Sequence, residues 1–149
     1  MNDALRRLTI ATYASAIFFV LSPIVDVAAS SWPFSPGAVQ WRYAFAALTA
    51  NYLVSVLFGL LLAALVAAAA GHLLVLRLVA VAALAWAVGL LVLEAGLVLD
   101  VLQVTSLVPS DEQEMFRIGS VKTAVKIALV LVVFVLVAVG AFRGSKRRA

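Results

Sequence analysis

Four stretches of this chain, Leu8–Ala28, Tyr43–Ala70, Leu78–Leu99 and Thr123–Phe142, are long apolar runs broken by only a few polar side chains. A hydrocarbon core of about 30 Å is crossed by roughly 20 helical residues rising about 1.5 Å each, and every run meets that length. Lipid offers the backbone no hydrogen-bond partner, so a spanning segment must be a helix or part of a closed barrel. None of the four alternates apolar and polar residues with the period of two that a barrel strand requires. The sequence therefore predicts an all-α polytopic membrane fold: four transmembrane helices in an up-down antiparallel bundle, one domain over residues 1–149. Composition agrees, since 66% of the residues are hydrophobic and 12% charged. A water-soluble domain would be about half apolar and about a quarter charged.

The same composition removes whole classes of chemistry. With no cysteine and a single histidine, His72, the chain has no thiolate metal site, disulfide or pair of histidines for haem. No Ser–His arrangement, intramembrane aspartyl dyad or Gly-rich phosphate loop is present. No enzyme activity, cofactor or metal is expected. The sequence pI of about 10.0 comes without a basic patch interleaved with stacking aromatics, so it points to lipid headgroups and not to nucleic acid.

Charge sets the expected orientation. Arg6, Arg7, Arg77, Arg143, Lys146, Arg147 and Arg148 fall on the side of the termini, against Arg42, Arg117, Lys122 and Lys126 on the other. By the positive-inside rule both termini are cytoplasmic, with outer loops at 29–42 and 100–122. The first apolar run resembles a signal sequence ending at Val27-Ala28-Ala29. It is longer than the usual core of such a sequence and carries Asp26 beside the cut, so it reads as a true first span. Abundant Ala and Val, with Arg favoured over Lys, suit a GC-rich bacterial genome and hence an inner membrane.

The loops carry their own signals. Trp32, Phe34, Trp41 and Tyr43 form an aromatic collar of the kind that anchors at the headgroup boundary. Ser35-Pro36 reads as an N-cap and first helical residue of the second helix. Ser110 and Gln113 read as a capping box; the helix they open is either a separate amphipathic segment over 110–118 or an outward extension of the fourth helix. His72, in the short loop between spans two and three, reads as solvated or headgroup-facing. The basic tail 143–149 suits anionic lipid headgroups.

Polar residues within the spans are the candidate site. Thr12, Ser15, Ser22 and Asp26 share a stripe on the first span, where Pro23 deprives the Phe19 carbonyl of its amide partner. On the second, Asn51, Ser55, Gly59, Ala63 and Ala67 recur every fourth residue, a small-residue ladder suited to close helix packing. On the third, Gly89 and Gly96 share a face with Asp100 and are further packing candidates, with Glu94 on another face. Depth matches Glu94 with Lys126 of the fourth span, and Asp26 with Arg42, as candidate ion pairs. Asp26, Arg42, Asn51, Glu94 and Lys126 would either fix the bundle or, with Glu94, Lys126 and Asp26 in a row, line an ion or proton path. The two helical hairpins share no internal symmetry of the kind seen in repeat-built transporters. The sequence thus favours a non-catalytic accessory or scaffold subunit, working with a membrane-protein partner or as a homo-oligomer in the bilayer. A small oligomeric transporter or channel is the alternative.

Because the chain lacks cysteine, orientation is testable by single cysteines and a membrane-impermeant thiol reagent. Cysteine at Ser35 or Ser110 is expected to label in intact cells and cysteine at Ser145 is not. Reversed labelling would invert the orientation, and split labelling of the two loops would break the four-span scheme.

Overall fold

A computed structural model describes residues 3–146 as four helices: α1 Asp3–Ser30, α2 Val39–Ala70, α3 Leu73–Thr105 and α4 Gln113–Lys146. All four are long and apolar enough to cross a membrane. Each extends past the apolar run that announced it, because helix propagation does not stop where hydrophobicity does. Arg147 and Arg148 of the basic tail lie outside the described residues, while Arg143 and Lys146 form the last turn of α4. Ser145 is buried and bonded to the carbonyl of Phe142. The labelling position for the side of the termini therefore belongs at exposed Lys146.

Two helix starts differ from the sequence expectation. Ser35 and Pro36 form a turn in which the Ala38 amide donates to Ser35 O, and α2 begins at Val39 without a side-chain cap. Ser110 caps nothing; α4 begins at Gln113, whose side-chain amide donates to Val108 O. The segment 110–118 is thus no separate helix: from residue 113 onward it is the outward extension of α4. Both loops offer the starting amides nearby backbone carbonyls, and side-chain caps are not needed. At the other end, Gly71 takes the left-handed conformation with φ 72°, and the His72 amide donates back to Ala67 O. A side chain is strained in that conformation, so glycine makes the tight α2–α3 hairpin possible.

The helices α2, α3 and α4 pack against one another, and α1 lies along α2 alone. Buried residues recur every seventh position: Ala46, Leu53, Leu60 and Ala67 on α2; Leu76, Ala83, Leu90, Leu97 and Val104 on α3; Ile127, Phe134 and Ala141 on α4. This is the period of knobs-into-holes packing between slightly inclined helices. By contrast, only Ala16 and Pro23 are buried on α1.

The small-residue ladder of α2 explains how α1 is held. A Cβ placed on Gly59 would lie 2.7 Å from Ala16 O and 2.8 Å from Val20 Cγ2. One turn away, the Ser55 hydroxyl donates to Phe19 O at 3.2 Å. That is the carbonyl whose helical partner Pro23 removes, so the proline on α1 and the serine on α2 answer each other across the interface. Ala63 is half-buried beside the core. Gly89 and Gly96, in contrast, make no close helix contact, since a Cβ at either meets nothing within 4 Å. Their expected packing role is corrected accordingly.

Gly59→Leu is expected to separate α1 from α2, because the side chain must displace a backbone carbonyl, at a cost of at least 1–3 kcal/mol, a rough figure for overpacking. Gly89→Leu, placed in open space, is expected to leave stability within about 0.5 kcal/mol. Thermal unfolding of the two variants in the same detergent checks the contrast.

Candidate functional site

Polar side chains gather where α2 and α4 start and α3 ends. Arg42 holds the centre. Its Nε donates to both carboxylate oxygens of Asp100 at 3.1 Å, and its NH2 group donates to Asp100 Oδ1 at 2.6 Å. Its NH1 group donates to Pro36 O at 3.0 Å, tying loop 31–38 to α2. Asp100 is only 3% exposed, so it sits in a forked, charge-assisted contact that fixes the register of α2 against α3. The pairing expected of Arg42 with Asp26 is not the one formed. Asp26 is exposed on α1 and has no ion pair among the described residues. Asp100 shares a hairpin with Arg42 and is buried against it, whereas Asp26 is exposed on α1.

Beside this pair, Tyr43 and Ser120 join α2 to α4 at 3.0 Å. Ser120 gives its own proton to Phe116 O at 2.8 Å, so Tyr43 is the donor between them. The Tyr43 and Phe116 rings lie 5.1 Å apart. About two turns deeper, Lys126 Nζ donates to Asn51 Oδ1 at 3.4 Å, again linking α4 to α2. Here too the expected partner differs: Lys126 bonds to Asn51, not to Glu94. Glu94 occupies the heptad seam of α3 that includes Ala80 and Ala87, and its Oε2 is buried with no hydrogen-bond partner. Asn51, expected in the packing ladder, is therefore a cross-helix acceptor.

Toward the opposite end the core is apolar. Leu60, Ala67, Leu76, Val79, Ala80, Ala83, Phe134, Val137, Ala138 and Ala141 fill it. Thr12 and Ser15 on α1 return their hydroxyl protons to Leu8 O and Ala11 O of their own helix. His72, read from sequence as solvated or headgroup-facing, is exposed, and its ring also stacks on Tyr13 at 5.9 Å with a hydrogen bond between Nδ1 and the Tyr13 hydroxyl at 2.9 Å. That contact fastens α1, at its eleventh residue, to the α2–α3 turn.

Among the described residues no group of three or more His, Asp or Glu side chains is placed to hold a metal ion. Sequence reading missed Tyr43–Ser120 and gave Arg42 the wrong acid. The available signal was that Arg42 and Asp100 bracket the same end of one helical hairpin. No protein-family model, curated protein or solved structure matches this chain.

The Arg42–Asp100 pair is expected to respond asymmetrically to mutation. Arg42→Met strands a buried carboxylate and should destabilise by about 3 kcal/mol. Asp100→Asn leaves an arginine whose side chain is 36% exposed and can reach water, so roughly 1 kcal/mol is expected. Replacing both, as Arg42→Met with Asp100→Leu, should recover most of the loss. Chemical unfolding in detergent measures all three.

Proposed function

We propose that this small integral membrane protein is a non-catalytic accessory or scaffold component of a membrane complex. In this reading both termini face the cytoplasm of a bacterial cell, and the basic tail rests on anionic inner-membrane lipid. The observation that carries it is the distribution of polar groups. Arg42, Asp100, Tyr43, Ser120, Asn51 and Lys126 are joined in cross-helix pairs near one end, and the seam beyond them is aliphatic and aromatic. Pairs of that kind fix helix register, whereas an ion path needs polar or wet groups along its whole length. The helix α1, attached along one side only, leaves broad apolar faces for a partner helix or a second copy.

One observation supports the transporter alternative: Glu94, with a buried oxygen that has no partner. Buried polar atoms in hydrocarbon are costly, and one retained without a partner is a functional marker as well as a structural fault.

Two measurements separate the readings. Mild detergent extraction at native expression is expected to give one discrete species of reproducible mass well above the monomer; a lone monomer at all detergent levels would overturn the scaffold reading. Glu94→Gln is expected to leave a folded protein of equal or greater stability with its cellular phenotype intact. A folded Glu94→Gln protein that has lost its phenotype would establish the transporter alternative.

A further inference from the structure

Three polar side chains reach the outer surface of the bundle at nearly one depth. Asp26 of α1 and Asn51 of α2 are exposed, and Lys126 of α4 is half-buried. Their level follows from the contacts between helices. The Ser55 hydroxyl meets Phe19 O, which sets the register of α1 against α2. Asp26, seven residues past Phe19, therefore stands level with Leu48, seven residues before Ser55. Asn51 is three residues deeper, about 4.5 Å by helical rise, and Lys126 shares its level through their 3.4 Å hydrogen bond. All three lie roughly 10 Å inward of Arg42, which with Trp32 and Trp41 marks the headgroup level.

They also share a side. The cleft between α1 and α3 is lined by Ile24 and Ala28 of α1 and by Thr49 and Leu53 of α2. Asp26 falls two residues from both members of the first pair, and Asn51 two residues from both members of the second. Two residues are about 200° of helical rotation, so Asp26 and Asn51 face away from the cleft on the same side. Lys126 reaches Asn51 on that side from α4. Carboxylate, amide and ammonium thus cross one lipid-facing surface in the order α1, α2, α4. Within one copy the two charges do not meet. Contact of α1 is with α2 alone, α2 stands between Asp26 and Lys126, and neither forms an ion pair among the described residues.

We propose that this surface binds the same surface of a second copy, in a two-fold dimer whose axis runs along the membrane normal. The proposal deepens the scaffold reading by naming the partner. Such an axis keeps each residue at its depth and sets α1 of one copy opposite α4 of the other. Asp26 then meets Lys126 of the second copy, and the symmetry repeats the pair. A charge facing hydrocarbon is costly, and this pairing matches acid to base at both edges at once. The centre is suited to an axis as well. Asn51 Oδ1 accepts from Lys126, while its amide group donates to nothing among the described residues. Two such side chains meeting at an axis can each donate to the other, and a polar pair in an apolar interface fixes register and copy number.

The test uses the full chain in bacterial membranes, with oxidation by copper phenanthroline read across protein-to-lipid ratios. Ala44→Cys, exposed and seven residues before Asn51 on the same stripe of α2, is expected to form a disulfide-linked dimer. Leu99→Cys, exposed on α3, is expected to give little. In the Ala44→Cys background, Asp26→Asn should weaken dimerisation roughly tenfold, since each dimer loses two pairs. It should leave the monomer's unfolding temperature unchanged, because Asp26 has no partner within one copy. Asp26→Lys or Lys126→Asp alone sets like charges together and should weaken dimerisation roughly a hundredfold. Both reversals in one chain should restore it. Cross-linking of Ala44→Cys no better than of Leu99→Cys overturns the proposal, as does wild-type cross-linking in Asp26→Asn or a folded double reversal that stays monomeric. Those results beside a discrete complex of one copy with a different protein would leave the scaffold reading standing; a lone monomer would remove both.

Discussion

Hydrocarbon competes for no hydrogen bond, so a polar atom that this chain carries into the membrane is costly unless it finds a partner within the protein. The four long helices are the backbone's answer. The side chains answer in pairs: Ser55 for the Phe19 carbonyl, Arg42 for Asp100, Tyr43 for Ser120, Lys126 for Asn51. Each pair joins two helices, so satisfying a polar group and fixing helix register are one event. Apolar contact alone does neither, because lipid is as apolar as leucine and packing gains little from excluding it. Close approach at Gly59 and the heptad seams of α2, α3 and α4 supply dispersion contact, and the pairs choose which of several similar packings is adopted.

Much of this was legible in the sequence. Run length and the absence of alternation gave four helices. Pro23 announced an orphaned carbonyl at Phe19, and the ladder through Ser55 and Gly59 announced a close-packed face. The structure joins the two. Partner choice was harder to read, because depth along a helix leaves its azimuth open. Asp26 and Asp100 are both acids near the level of Arg42, and only the rotation of α1 and α3 decides between them. The same holds for Lys126, which turns to Asn51 on α2 and leaves Glu94 on its own seam of α3. Glycine is ambiguous for a related reason. Gly59 meets a neighbouring backbone and Gly89 meets open space, a difference created by tertiary placement.

The fold is also lopsided in a way that composition hides. Three helices share a core, while α1 leans on one of them through a glycine and a serine hydroxyl, with the Tyr13–His72 contact tying it to the α2–α3 turn. A symmetric four-helix bundle would have brought α1 against a second neighbour. The edge position of α1 leaves a cleft between α1 and α3 instead, lined by Pro23, Val27, Trp86 and Gly89.

Helix length has a mechanical consequence. The 34 residues of α4 extend about 51 Å, well beyond a hydrocarbon slab of about 30 Å. Part of α3 and α4 therefore stands clear of the lipid tails as a rigid post. A protein built this way tolerates thick and thin bilayers by riding up or down or by leaning, at a modest cost for each ångström. Its vertical position is then set by Trp32 and Trp41 at the water boundary, which act as a float line for a hull longer than the depth it must draw.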